Sequence, residues 1–163
     1  VPIDTERFLQ DLDTLRQIGT YRTGVHRPTF SAADMEARHW LVAAMEEVGL
    51  EAGIDGIGNV FGRHRGAGPH LLAGSHLETQ NHAGWLDGAA GVMAALALAR
   101  AGLPVDVCAY SDEEGHFGTF LGSRSLIGEL DEAEIDAARN GQGTTLRAAL
   151  QQAGLAGRPR LRL

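Results

Sequence analysis

The sequence predicts an α/β fold, with helices and strands alternating around a layered core. Three observations predict it. Apolar residues recur at helical spacing in two stretches near the amino end, short apolar runs bounded by turn residues follow, and a small-residue helix lies between two of those runs. At 163 residues, 44% hydrophobic and 21% charged, the chain has the composition of one globular domain.

Taking the elements in order, Asp4 is placed to cap a first helix carrying Phe8, Leu12 and Leu15 on one face, with Ile3 set to staple onto Phe8. That helix ends near Ile18-Gly19. Residues 20–30 read as a loop. Ser31 then opens a second helix, with Asp34 three residues on, Phe30 facing Met35, and Leu41, Ala44, Met45 and Val48 along one side until Gly49 stops it. "LEAGID" and "NVFGRHR" read as a hairpin-like pair about Gly56-Ile57-Gly58, and "HLLAG" at 70–74 as a buried strand. Gly88 to Arg100 reads as a helix packed closely on a sheet, and Pro104 ends that connection before the strand "VDVCAY". Helices follow near 119–127, 131–139 and 144–153, the last two capped by Asp131 and Thr144.

Charge and composition exclude several functions. With Lys+Arg 14 against Asp+Glu 21, a formal charge of -7 argues against a nucleic-acid partner, "GRPRLRL" being the single basic cluster. No apolar run approaches the ~20 residues of a membrane span. The lone cysteine, Cys108, lies in a strand-like run and cannot form a disulfide within the chain, so a reducing compartment is permitted. "VPIDTERFLQ" lacks the layout of a signal peptide, and the cytoplasm is the expected location.

The chemistry sits at strand ends. His76 falls two residues after one predicted strand, and Glu113 and Glu114 fall just after another. In open α/β sheets the ligand crevice lies beyond the carboxyl ends of the strands, so both motifs share one rim. Asp87 immediately precedes a helix whose first turn is Gly-Ala-Ala-Gly, small enough to approach whatever Asp87 holds. An imidazole nitrogen with carboxylate oxygens suits Zn²⁺ at ~2.0–2.2 Å. Paired metals ~3.5–4 Å apart share a bridging carboxylate, and a carboxylate left over can act as general base. Taken singly, each of these residues is more often a capping or solvated group than a ligand. Their common placement is what points to a site, although spacing alone does not tell Glu113 from Glu114.

The stretch "GSHLETQ...GWLDGAAGV" with "VCAYSDEEGHFG...LGSRSLIG" resembles the di-zinc amidohydrolases that include N-carbamoyl-L-amino acid hydrolase, allantoate amidohydrolase and β-ureidopropionase. These are relatives of the aminoacylase and carboxypeptidase-type metallopeptidases. The upstream run "TGVHRPTFSAADMEARHWLVAAMEEVGLEAGIDGIGNVFGR" is also similar to that family's amino-terminal region. The resemblance implies a three-layer sandwich with a mixed, mostly parallel sheet, the first half of a di-zinc exopeptidase-like catalytic domain. It implies His76 as ligand of one metal, Asp87 as the bridge, Glu114 as ligand of the other and Glu113 as general base. The metals would be two divalent ions: zinc, or manganese, cobalt or nickel. The implied reaction is hydrolysis of a C–N bond in an N-carbamoyl amino acid or related ureido compound, with N-acyl amino acid hydrolase or dipeptidase as variants.

The sequence departs from that pattern in three places. Glu78 stands where the family has an aspartate that orients the ligand histidine, and the added methylene bears on the imidazole's position. The connection from Asp87 to Glu113 and the segment "EEGHFGTFLGSR" are short for the family. The sequence also stops at "GRPRLRL", where the family continues into a lid and dimerisation domain and then completes the catalytic domain, each later part bringing a ligand histidine. Residues 1–163 are thus expected to be a partial catalytic domain whose open sheet edge is covered by a homo-oligomer or complementing chain. His82 and His116 lie in the motif loops and are the candidate substitute ligands. His26 lies in a loop able to approach the site, while His39, His64 and His70 have weaker claims. Ser123 and Ser125 lack a G-x-S-x-G setting, which excludes the usual nucleophile elbow. The reading from another class is a non-catalytic metal-binding or structural homologue.

Overall fold

Asp4 begins the regular secondary structure, in a computed structural model that describes residues 1–163. Its side chain accepts from the Arg7 N–H at 2.9 Å and opens α1 (Thr5–Gln17), leaving Ile3 exposed. Gly19, at φ 75, lets the chain leave that helix. The loop over 20–30 contains a short hairpin of β1 (Thr20–Tyr21) and β2 (Gly24–Val25), strands too short to leave a periodic signal. Ser31 caps α2 (Ala32–Glu47), and Gly49 at φ 85 turns the chain into β3 (Glu51–Ile54). β4 (Val60–Arg63), β5 (Leu71–His76), α3 (Ala89–Arg100) and β6 (Val105–Tyr110) follow. The carboxyl end carries α4 (Leu121–Leu126), α5 (Glu132–Ala137) and α6 (Leu146–Gln152). The last cap is Thr145 rather than Thr144.

The main sheet has the order β3-β4-β6-β5. β3 pairs antiparallel with β4, β4 antiparallel with β6, and β5 parallel with β6, so β3, β5 and β6 run one way and β4 runs back. The sheet is mixed, with most strands in one direction but a single parallel neighbour pair. The reason is local: the β3–β4 hairpin places the reversed strand between β3 and β6, and only β5 and β6 have a helix, α3, to make the long crossover that parallel pairing needs.

Layering follows from the two-residue period of the strands. Val60, Val107 and Ala109 face the largest core, packed by Leu12 and Leu15 of α1, Leu41 and Met45 of α2, and Val92 and Leu96 of α3. Phe61 and Cys108 point to the opposite face, where Leu126 of α4 and the carboxyl-terminal Leu161 cover them. A separate cluster of Ile57, Phe117, Leu121, Ile135, Leu146 and Leu150 joins α5 and α6 to the rest. No helix is long and apolar enough to cross a membrane.

Candidate metal centre

The β5–β6 register places Ser75 opposite Ala109 and His76 opposite Tyr110. His76 is therefore the last residue of β5 rather than two residues past it, because the parallel ladder continues to the end of β6. Its ring is buried and its Nδ1 lies 2.9 Å from the Glu78 carbonyl oxygen. A carbonyl only accepts, so Nδ1 carries the proton and Nε2 presents a lone pair to the rim. That Nε2 lies 4.0 Å from Asp87 Oδ1 and 3.4 Å from Glu113 Oε2. The ligand atoms of His76, Asp87 and Glu114 all fall within 4.8 Å of one another. Asp87 is exposed and Glu114 half-buried, its Oε2 accepting from Gln80 Nε2 at 3.1 Å. One freed imidazole nitrogen and two carboxylates form a donor set that fits a borderline divalent cation such as Zn²⁺.

The loops that carry these groups are braced from below. Asp112, at φ 55, is fully buried and accepts the N–H groups of His116, Phe117 and Gly118, each at 2.9 Å, together with the Thr29 hydroxyl at 2.7 Å. Burial alone would raise the Asp112 carboxyl, but the hydrogen bonds from His116, Thr29 and the backbone hold it below its ordinary value. Because Thr29 gives its proton to Asp112, it can only accept from His116 Nδ1, 3.0 Å away. Glu78 is also buried, accepting the Glu113 N–H at 2.5 Å and facing Arg38 Nη2 at 3.4 Å. Burial pushes the Glu78 carboxyl up to about 7, with Arg38 pulling against it. The orienting contact to His76 thus comes from the Glu78 carbonyl, while its longer carboxylate arm is used elsewhere. On the other side, buried Arg27 donates to the carbonyls of Leu15, Ile18 and Leu77, tying the end of α1 to the residue after His76. Arg27, Arg38 and Asp112 were not indicated as site residues by the sequence. The one signal for Asp112 was its place at the head of the two glutamates.

No protein-family model matches the chain. Among curated proteins it is 34% identical over 168 residues to the N-carbamoyl-L-amino acid amidohydrolase of Geobacillus stearothermophilus, covering 94% of this chain and 41% of that one. It is 33% identical over 156 residues to the allantoate deiminase of Arabidopsis thaliana, covering 86% and 30%. Among solved structures, an amidase of the hydantoinase/carbamoylase family from Burkholderia phymatum superposes with a TM-score of 0.96 at 48% identity, covering 99% of this chain and 42% of that one. The chain is a homologue of the N-carbamoyl-L-amino acid and allantoate amidohydrolases. It spans about two fifths of the length of the carbamoyl amino acid relatives, 41% of one and 40% of another.

In this amidohydrolase homologue the remaining histidines stand apart from the three-residue set. His82, at φ 56, is exposed and stacks on Tyr21 with ring centroids 4.0 Å apart, and His26 lies 4.5 Å from it. His116 is held by Thr29. The structure therefore brings neither proposed substitute, His82 or His116, into the group: the His82 ring turns to Tyr21, and His116, fixed through Nδ1 by Thr29, keeps an unpartnered Nε2 that does not converge with the other three. His39 is exposed on α2. His64 and His70 pack edge to face at the amino end of β5, with His70 Nδ1 3.3 Å from Asp106, far along the strand from the rim.

Proposed function

We propose that this chain is the part of a metal-dependent amidohydrolase that supplies His76, Asp87 and Glu114 as metal ligands and Glu113 as general base. The observation that carries the proposal is the convergence of three ligand atoms within 4.8 Å, in a homologue of amidohydrolases, with Glu113 Oε2 3.4 Å from His76 Nε2. The substrate we infer is an N-carbamoyl amino acid or related ureido compound. Two divalent ions, zinc or else manganese, cobalt or nickel, would polarise the scissile carbonyl and lower the pKa of the attacking water. Asp87 would bridge them, and further ligands would come from a longer polypeptide or from a partner or second copy of the chain.

Glu113 provides the proton transfer. Its carboxylate takes a proton from the water as the new C–O bond forms, then returns it to the leaving nitrogen as the C–N bond breaks. For an N-carbamoyl amino acid the products are the amino acid, ammonia and carbon dioxide. The test is ammonia release from a panel of N-carbamoyl amino acids with added Zn²⁺ or Mn²⁺, beside metal stoichiometry. Glu113→Gln should abolish turnover and keep the metal, and Asp87→Ala should lose the metal. Turnover by the Gln variant at the parent rate removes Glu113 as the base. Full metal content in Asp87→Ala removes its bridging role, and a parent chain that binds metal without turnover points to a half-site awaiting its further ligands or to a metal-binding homologue.

A further inference from the structure

Arg38 lies within α2 and is fully buried, and its donors point in three directions, one back along the helix and two away from it. Nε donates to Asp34 Oδ2 at 2.9 Å, Nη1 to the Gly58 carbonyl, and Nη2 faces Glu78 Oε2 at 3.4 Å. Asp34 also accepts the Phe30 N–H at 2.8 Å, and the guanidinium carbon sits 5.6 Å over the Phe30 ring. Helix packing alone would be served by Asp34 and Gly58. The third arm instead reaches residue 78, which touches both working residues: its carbonyl takes the His76 Nδ1 proton and its carboxylate takes the Glu113 N–H.

We propose that Arg38 is a positioning residue for the metal centre, acting through Glu78 on the His76 ring and on the Glu113 backbone at once. The inference rests on the reading of His76 as ligand and Glu113 as base. A buried carboxylate stays in place only with a counter-charge or a full set of donors. Without Arg38, Glu78 would turn toward water, and the Glu113 amide and the 76–78 turn would lose a common anchor. Lysine cannot replace it, because a single ammonium does not present the guanidinium's fixed fork to Asp34, Gly58 and Glu78 together.

The Glu113 amide proton in a ¹H–¹⁵N spectrum of the metal-free chain reads this link directly, since a short bond to a carboxylate moves it downfield. Zn²⁺ affinity, by competition with a chromogenic chelator, and the visible spectrum of the Co²⁺ form read its effect on the ligands. In Arg38→Lys the Glu113 amide should move upfield, Zn²⁺ affinity should fall roughly 10–100-fold and the Co²⁺ bands should change while the chain stays folded. Unchanged amide shift and affinity would make Arg38 a packing residue and overturn the proposal. Should the Arg38 variants not fold, the guanidinium of the folded parent decides: Arg38 Nη2 protons protected from exchange and coupled through the bond to the Glu78 carboxylate are expected, and freely exchanging Nη2 protons overturn the proposal. A parent chain that binds no Zn²⁺ overturns the ligand reading instead, with the Glu113 amide still reporting on the Arg38 link.

Discussion

Gly88 separates Asp87 from α3 at φ 68, and a Cβ built there would lie 2.5 Å from both Cε1 and Nδ1 of the His76 ring. Both the backbone angle and the space demand glycine. Gly88→Ala should push the imidazole off its line to Asp87 and Glu114 and lower Zn²⁺ affinity by roughly 10–100-fold, at a stability cost of about 1–3 kcal/mol. Chelator competition checks it, and parent-like affinity would mean that the ring has room to spare. His26 gives a second prediction at this scale. Burial, then His82 and His116, lowers its pKa from 6.5, so the folded chain favours the neutral ring. A depressed histidine contributes stability that is present above 6.5 and lost as pH falls toward the folded value. The urea midpoint of the parent should therefore drop more between pH 7.5 and 5.5 than that of His26→Gln; equal drops would remove this role. His76, Glu113 and Glu114 could be placed on one rim from the sequence because they follow apolar runs that announce strand ends, and Asp87 because it precedes a small-residue helix, while the roles proposed for them came from the resemblance. Arg38 and Asp112 could not, since their meaning depends on partners 40 and 83 positions away, Glu78 and Thr29.

At the scale of elements, caps carried most of what could be read. Asp4, Ser31 and Asp131 each accept from the N–H three residues on, as their positions before periodic apolar residues required. The expectation failed by one residue at α6, and the loop before it explains why. Asn140 Oδ1 accepts the N–H groups of Gln142 and Thr144, and the Thr144 carbonyl accepts from Asn140, so Thr144 belongs to the turn and Thr145 becomes the cap. Thr145→Ala should then cost about 1 kcal/mol, whereas Thr144→Ala should stay within about 0.5 kcal/mol. Denaturant midpoints of the two variants compare them, and a larger loss at Thr144 would contradict the cap assignment. The β1–β2 hairpin escaped the sequence for another reason. Val25 is held by tertiary bonds, exchanging N–H and carbonyl with Ala83 at 3.0 Å each, and local pattern carries no trace of that.

Across the whole molecule the apolar residues divide into one large core under α1, α2 and α3 and a smaller one formed by α5, α6 and their neighbours. The smaller cluster includes Phe117, three residues beyond Glu114, so the loop that carries both glutamates is anchored in the weaker unit. His76, by contrast, ends a strand anchored in the larger core through β6. Stability in proteins is distributed in units of this kind, and few buried contacts mean a lower opening free energy. Amides of residues 132–152 should exchange at lower free energy than those of β5 and β6 under native-state hydrogen exchange in rising urea. Leu150, 4% exposed in the smaller cluster, is the residue to cut. Leu150→Ala should cost roughly 2–5 kcal/mol, appearing first as lost protection in α5 and α6 and as weaker Zn²⁺ binding through Glu114, with β5 and β6 still protected. Equal loss of protection in both units would mean that the chain opens as one body, and the glutamates would then be as firmly held as the histidine they face.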